Sequence, residues 1–434
     1  MTLGDALLLG LAGQLGTALR DVMLGHAIVP LVDRATPLAI FVGTHLLALL
    51  IARAYAPEVL RSPGLGVARV LSASSIAAIG LAFVYMAFPK AALPGMGSLF
   101  ALPIGFVGLV LGRRAWVRLG RAGLFHPRVL VLGGGDRADR AVMVARSSPS
   151  LVFLGQIDLA AGVAPDALAR EVHRLGAGEV VLAPEERRRG LPLAALLRLR
   201  TSGIQILDLS TFIERETGRI DLAITNPSWL IFSTGFSAER QVSAFIKRLC
   251  DVVCALVLLA LLWPVMAVAA LAVKLDSPGG VLFRQQRIGL YGASFELLKL
   301  RSMKLLPDAP PAWTALNDPR LTRVGKWIRR VRIDELPQLW NVLRGEMSLV
   351  GPRPEQPCFV TLLESQIPYY AERHMIKPGI TGWAQVNYPY GANVSDARAK
   401  LEYDLYYAKN YSFFLDVEII LKTLRVILVP QGVR

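Results

Sequence analysis

Over its first 120 residues the chain alternates long apolar stretches with brief polar connections. The stretches cover 3–19, 38–55, 67–88 and 99–119, and each is near the length that a helix needs to cross hydrocarbon. The pattern predicts a bundle of four transmembrane helices over 1–120, with Gln14 and several glycines making the first stretch the least apolar. Arg53, Arg61 and Arg69 surround the second connection, and Arg113, Arg114, Arg118, Arg121 and Arg128 follow the fourth stretch. The other connections carry far less positive charge, so the positive-inside rule places both ends of the bundle in the cytoplasm.

From 121 the pattern shortens. A strand at 128–132 runs into Gly133-Gly134-Gly135-Asp136-Arg137-Ala138, and short apolar runs recur at 179–182 and 204–209. Strands alternating with helical stretches imply an open α/β sheet over 121–210. The turn fits G-x-G-x-x-A, and Asp158 follows a second strand near the place of a ribose-binding carboxylate. A structural or regulatory Rossmann-like fold outweighs a dinucleotide site on so short a match. Residues 211–240, including Trp229 to Phe232, read as a β-rich connector with no identifiable chemistry.

The stretch 249–273 is again long enough to span a bilayer. Basic residues flank it on both sides, however: Lys247 and Arg248 before, Lys274, Arg284 and Arg287 after. Crossing would also carry the arginine-rich motifs further along out of the cytosol. A segment that enters the membrane and returns meets both constraints. Pro264 lies near its middle, where the missing donor and the clash with the Ala260 carbonyl predict a bend or break. Asp251, one turn after Lys247 and Arg248, is placed to pair with them, and the three read as anchors. Near the carboxyl end, Phe413, Phe414, Val417, Ile420, Leu421, Leu424, Ile427 and Leu428 form one helical stripe opposite Glu418, Lys422 and Arg425. This suits a helix lying on the membrane surface, although packing on a core gives the same pattern.

Composition agrees with a membrane protein. The chain is 53% hydrophobic with a mean hydropathy of +0.45, too apolar for an ordinary soluble protein. A net charge of +15 raises nucleic acid as a partner. The basic residues instead flank apolar segments or crowd the motifs, and no zinc-ligand spacing or RNA-binding signature is present, so an anionic membrane and phosphorylated substrates are implied. Cys250, Cys254 and Cys358 make no disulfide framework. The amino terminus has neither the basic flank nor the cleavage site of a signal peptide and is read as mature sequence.

The densest chemistry lies in Arg329-Arg330-Val331-Arg332-Ile333-Asp334-Glu335-Leu336-Pro337. Pro337 is best tolerated in a first helical turn, which puts the two carboxylates at the amino end of a helix continuing through Leu343. A carboxylate pair beside arginines suits a nucleophile and a Mg²⁺ ligand acting on phosphate, while a capped, salt-bridged surface helix is the plainer alternative. Around it stand Lys299-Leu300-Arg301-Ser302-Met303, Asn317-Asp318-Pro319-Arg320, Ser348-Leu349-Val350-Gly351-Pro352-Arg353-Pro354 and Lys377-Pro378-Gly379-Ile380-Thr381-Gly382-Trp383.

In this order and spacing the motifs resemble those of the bacterial sugar transferases known as polyprenyl-phosphate glycosyl-1-phosphate transferases, over about residues 240–434. The resemblance implies a membrane α plus α/β protein: four transmembrane helices, a Rossmann-like domain, and a monotopic phosphoglycosyl transferase domain over 241–434 with a re-entrant helix at about 249–274. It implies transfer of a sugar 1-phosphate from a UDP-sugar to polyprenyl phosphate, with release of UMP, at the cytoplasmic face of the bacterial inner membrane. Carried over by position, Asp334 is the nucleophile, Glu335 holds Mg²⁺, and Lys299, Arg301, Arg329 and Arg353 stand near the substrate phosphates; the Lys377 to Gly382 turn reads equally as a preset substrate-binding loop near the nucleotide or acceptor and as a structural turn. The family's re-entrant helix usually breaks at Ser-Pro, whereas this chain has Trp263-Pro264. Large family members imply a homodimer, and Asp208 to Glu216 with Tyr388 to Ala392 resemble the exosortase-associated branch that initiates exopolysaccharide assembly. Two other readings compete. A membrane-bound nucleotide-sugar dehydratase or epimerase needs Tyr-x-x-x-Lys, but Tyr406 and Lys409 are three apart. A non-catalytic nucleotide-sensing scaffold has no need of an intact Asp-Glu pair with its arginines.

Overall fold

A computed structural model of the chain describes residues 1–26, 34–52, 54–55, 59, 63–93, 97–119, 126–148, 151–159, 165–185, 192–225, 241–304, 320–389, 391 and 393–428. It divides into two compact units, Met1–Ile206 and Leu207–Arg434. Asn317 to Pro319, Trp229 to Phe232, Arg53, Arg61 and Arg121 fall outside the described residues.

In the first unit, α1 (Thr2–Met23), α2 (Ala35–Ile51), α3 (Pro63–Ala87) and α4 (Gly97–Leu119) form the expected apolar helices. Each packs on two others in a closed ring. α1 and α4 approach closely through small residues: a Cβ on Gly16 would strike the backbone of Ala101, the close packing that membrane helices use. Asp5, in the first turn of α1, pairs with Arg113 of α4 at 2.9 Å, both side chains being buried. The start of α1 and the end of α4 therefore lie at the same end of the bundle, as an even number of crossings requires. Among the described residues, α1, α3, α4 and a later span, Ala244–Asp276, are long and apolar enough to cross a membrane, and α2 is a shorter apolar helix.

The α/β part follows with β1 (Arg128–Leu132), α5 (Gly135–Ser147), β2 (Val152–Ile157), α6 (Pro165–Leu175), β3 (Glu179–Leu182), α7 (Leu193–Thr201) and β4 (Gln205–Asp208). The sheet order is β2-β1-β3-β4, and β1 runs parallel to both neighbours. Its core gathers Leu130, Leu132, Leu168, Val172, Val180 and Leu199. Gly133, at φ 143°, is backed so closely by the Ala183 carbonyl that no Cβ would fit. Asp158 stands against Gly134, and the Glu185 carboxylate occupies the space that a Cβ on Gly135 would need.

The expectation of a β-rich connector from 211 is corrected over its described part: Leu209–Thr217 is a helix, α8. Its signals are local. Asp208 caps it by accepting the Thr211 amide at 2.8 Å; Leu209, Phe212 and Ile213 are buried, and Gly218 ends it in the left-handed region. The segment then docks within the second unit. Glu214 accepts from Lys409 at 2.6 Å and from Asn410 at 2.8 Å, and the Ile220 amide donates to the Glu402 carbonyl.

The rest of that unit comprises α9 (Gln241–Asp276), the antiparallel hairpin β5 (Leu282–Ile288) and β6 (Ser294–Leu300), α10 (Arg323–Arg330), α11 (Gln338–Arg344), β7 (Ser348–Val350), α12 (Pro357–Gln366), β8 (Gly379–Thr381), α13 (Trp383–Asn387), α14 (Val394–Asn410) and α15 (Phe413–Leu428). Of the expected bend or break at Pro264, the break is absent: α9 is helical throughout Gln241–Asp276. Asp251, Ala255, Ala269 and Val273 are buried and Leu259, Leu262 and Met266 half-buried, at spacings of three and four, so one face stays packed on both sides of the proline and holds the two halves together. The other face, with Leu256, Leu261, Trp263, Val268 and Leu271, is exposed.

Both ends of α9 are tied to the same unit. Lys247 pairs with Asp416 at 2.6 Å, Arg248 donates to the carbonyls of Val342 and Leu343, and Asp251 accepts the Leu349 amide. Asp251 is thus satisfied by a strand amide rather than by Lys247 and Arg248, whose side chains reach across to other elements. The stripe on α15 also divides. Phe413, Ile420 and Leu424 are exposed and Phe414, Val417 and Leu421 half-buried, whereas the buried positions are Leu415 and Ile419, outside the stripe, and Glu418, expected on the polar face and 3.2 Å from Lys422.

Candidate active site

Asp334 and Glu335 lie in a single 3₁₀ turn, Ile333–Glu335, immediately before α11. Arg332 precedes it at φ 59°, a left-handed backbone that costs a non-glycine residue roughly 1–2 kcal/mol. That reversal turns both carboxylates inward, where they are 6% and 7% exposed. Pro337 caps α11, as expected of a proline at a helix start.

Three cations converge on one oxygen. Glu335 Oε1 is 3.0 Å from Arg353, 3.5 Å from Arg332 and 3.7 Å from Lys299. Burial alone would raise the Glu335 pKa, but Arg353, Lys299 and Arg332 outweigh it and hold the carboxyl down at about 2. Burial, only partly offset by Glu335, brings Lys299 down to about 8. Asp334 moves the other way: burial and then the Glu335 charge push its pKa up, against Lys299, Arg329 and Arg332. The two neighbouring carboxylates thus differ in proton affinity by environment alone. Asp334 Oδ1 is buried and has no hydrogen-bond partner among the described residues. An orphaned carboxylate oxygen beside a fully ionised carboxylate fits a divalent cation, which takes one or two carboxylates and completes its shell with phosphate oxygens.

The loop carrying Arg353 is itself supported. Arg373 donates to the Arg353 carbonyl at 3.0 Å, to Asp404 at 2.7 Å and to the Tyr370 hydroxyl at 2.7 Å. Arg287 donates to the Pro354 carbonyl at 3.0 Å. Gly351, Gly379 and Gly382 let backbones pass where any Cβ would collide with a neighbouring main chain. The Lys377–Gly382 turn therefore has a structural reason for its glycines.

Of the residues singled out from the sequence, Asp334, Glu335, Lys299 and Arg353 come together, with Arg329 acting on Asp334 through charge. Arg301 does not join them. Buried in another place, it caps the end of α9 by donating to the carbonyls of Ser277 at 2.7 Å and Pro278 at 2.6 Å. A carbonyl-rich helix terminus attracts a guanidinium as a phosphate does, so the motif alone could not separate the two uses. Lys377 joins Arg248 instead, both within 4 Å of the space above Gly345. Lys247, Arg248 and Asp251 anchor α9, as described. Arg332 was missed although it lies within the run, three residues before Glu335. Arg373 and Asp404 are 31 residues apart, and no local pattern marks them. Trp383 is buried, stacked on Tyr406 and donating to the Gly218 carbonyl at 2.7 Å. His374, held near 4 by burial and then Arg373, packs edge-on to Tyr370.

Comparison with known proteins bears on this geometry. The family model described as "Bacterial sugar transferase" matches residues 242–430. The chain is 43% identical over 240 residues to the UDP-N-acetylgalactosamine-undecaprenyl-phosphate N-acetylgalactosaminephosphotransferase of Aeromonas hydrophila, covering 55% of this chain and 56% of that protein. It is 48% identical over 180 residues to the UDP-glucose:undecaprenyl-phosphate glucose-1-phosphate transferase of Caulobacter vibrioides, covering 41% and 67%. With the uncharacterized sugar transferase EpsL of Bacillus subtilis it shares 42% identity over 203 residues, covering 44% and 90%. The chain thus spans little more than half the length of the Aeromonas relative.

Proposed function

This chain belongs to the bacterial sugar transferase family, and from that premise we propose that it transfers a sugar 1-phosphate from a UDP-sugar to a polyprenyl phosphate. The observation that carries the reading is the buried Asp334–Glu335 pair with Lys299, Arg332 and Arg353 around it. An Asp334 oxygen attacks the phosphorus that bears the sugar. The bond from that phosphorus to the bridging oxygen breaks, and UMP leaves with the electron pair. The acyl phosphate so formed is attacked at the same phosphorus by the acceptor's phosphate oxygen, which restores the Asp334 carboxylate and yields the polyprenyl diphosphosugar. Both steps gather phosphoryl charge in one place, and Lys299, Arg329, Arg332 and Arg353 supply fixed positive charge there. Mg²⁺, when bound, would be held by Glu335 with the Asp334 Oδ1 oxygen nearby, and would neutralise phosphate oxygens.

The re-entrant reading of α9 draws support from the attachment of both its ends to one unit, which keeps that unit at the cytoplasmic face of the inner membrane. For the α/β domain we favour a structural or regulatory role. Asp158 and Glu185 bring negative charge to the glycine turn, where a dinucleotide would present its pyrophosphate. The relatives name different sugars, N-acetylgalactosamine and glucose, so the donor is to be read from a panel. Purified protein with Mg²⁺ and polyprenyl phosphate is expected to release UMP from one UDP-sugar in an acceptor-dependent manner. Release of UDP, or no release with any donor, would overturn the proposal.

A further inference from the structure

Between the middle of α9 and the rest of its unit lies a cavity of about 360 Å³, lined by Leu259, Met266, Leu298, Pro337, Trp340 and other residues of β5, β6 and α11. That volume is within the range of ligand sites. Leu259 and Met266 lie either side of Pro264, so one wall is the helix whose outer face is exposed and apolar. β5 and α11 bring Arg284 and Arg344 to the cavity, both exposed, and Arg344 sits over the Trp340 ring at 5.9 Å. Glu296 partners Arg284 at 3.2 Å, which leaves the cavity with an excess of positive charge.

Three features select the occupant. The lining is apolar toward the lipid-facing helix and cationic elsewhere, which suits a chain that ends in a phosphate. The cavity adjoins the reaction centre: Pro337 stands two residues beyond Glu335, and Leu298 is followed by Lys299. Side chains alternate along a strand, so β6 presents Lys299 to the carboxylates and Leu298 to the cavity. The space is also small, enough for part of one chain rather than the paired tails of a phospholipid.

We infer that this cavity receives the phosphate-proximal isoprene units of the polyprenyl acceptor. The inference rests on the function proposed above and assigns the residues that select the acceptor's chain. Trp340, half exposed with an apolar ring, closes the cavity over the chain, and Met266 adapts to its branching methyls.

The test has two arms, both on full-length protein in nanodiscs. In the first, a polyprenyl phosphate carrying a diazirine on its second isoprene unit is photolysed, and the labelled peptide is identified by mass spectrometry. Labelling of α9 near Leu259 to Met266, or of α11 near Trp340, that unlabelled polyprenyl phosphate displaces and phosphatidylglycerol does not, is expected. Labelling confined to other peptides, or displaced equally by phosphatidylglycerol, would overturn the inference, the latter by identifying an ordinary lipid site. In the second arm, Met266→Trp and Leu298→Phe, which fill the space, are expected to raise KM for long-chain polyprenyl phosphate roughly tenfold, the effect of excluding about two methylene groups. KM for ethyl phosphate, an acceptor with no isoprene unit to place in the cavity, should move much less. An equal change for both acceptors, or none for either, would contradict the assignment. The crosslink needs no turnover, so an inactive protein that still labels correctly would refute only the proposed reaction. An active protein that labels elsewhere would refute only the cavity's role.

Discussion

Replacing Asp404 by Asn tests how firmly the Arg353 loop is held. Arg373 and Asp404 are 6% and 3% exposed at their side chains, between Tyr370 and the core residues Leu401 and Leu405. Asparagine keeps an oxygen that accepts from Arg373 but removes the charge, leaving the buried guanidinium with Glu355 as its remaining carboxylate. Breaking a buried pair from one side costs about 3–5 kcal/mol, and the surviving hydrogen bond puts this case near the lower end. About 3 kcal/mol corresponds to a rise of roughly a hundredfold in the local opening equilibrium. Hydrogen exchange followed by mass spectrometry reads it directly, in peptides covering α14 and residues 348–354, without assuming that the whole chain unfolds in one step. The double variant Arg373→Met with Asp404→Leu replaces the pair by apolar groups and is expected to recover most of the protection. It should not recover activity, because the Arg353 carbonyl has lost its donor. Unchanged protection in Asp404→Asn, or a double variant less protected than the single one, would refute the reasoning.

Three further outcomes are expected. Lys299 is charged below its pKa of about 8, so the rate should fall about tenfold per unit as pH rises beyond it; Lys299→Arg, whose charge persists, should move that limb upward, and an unmoved limb would assign it to another group. Chelating divalent cations should stop turnover, and Glu335→Gln should raise the Mg²⁺ concentration for half-maximal rate at least roughly tenfold; full activity in excess chelator would remove the metal from the scheme. Gly218 has φ +64° and lies against Trp383, so Gly218→Val should destabilise the docked α8 segment by about 1–2 kcal/mol, seen as faster exchange over 209–222; unaltered exchange would show that the contact carries no weight.

Much of the architecture was legible because its causes are local. Apolar runs of membrane length, the strand and glycine turn at 128–138, and the proline at the start of α11 each depend on neighbours in sequence. The Asp334–Glu335 pair was legible for the same reason, with its arginines a few positions away. What escaped depends on distant partners. Arg301 looks like a phosphate ligand until the carbonyls at the end of α9 are seen beside it. The cap at Asp208 and the glycine at 218 announced a helix, but the place of α8 depends on Lys409, 195 residues further on. At Pro264 the local rule predicts a bend or a break, and the buried positions on both sides keep the helix unbroken.

The most direct measurement is intact-protein and peptide mass spectrometry of full-length protein incubated with the UDP-sugar that supports UMP release, quenched before any polyprenyl phosphate is added. The account predicts an adduct of one sugar phosphate on the peptide containing Asp334, absent from Asp334→Asn and discharged when polyprenyl phosphate is supplied. An adduct on another residue, or full turnover by Asp334→Asn, would contradict it.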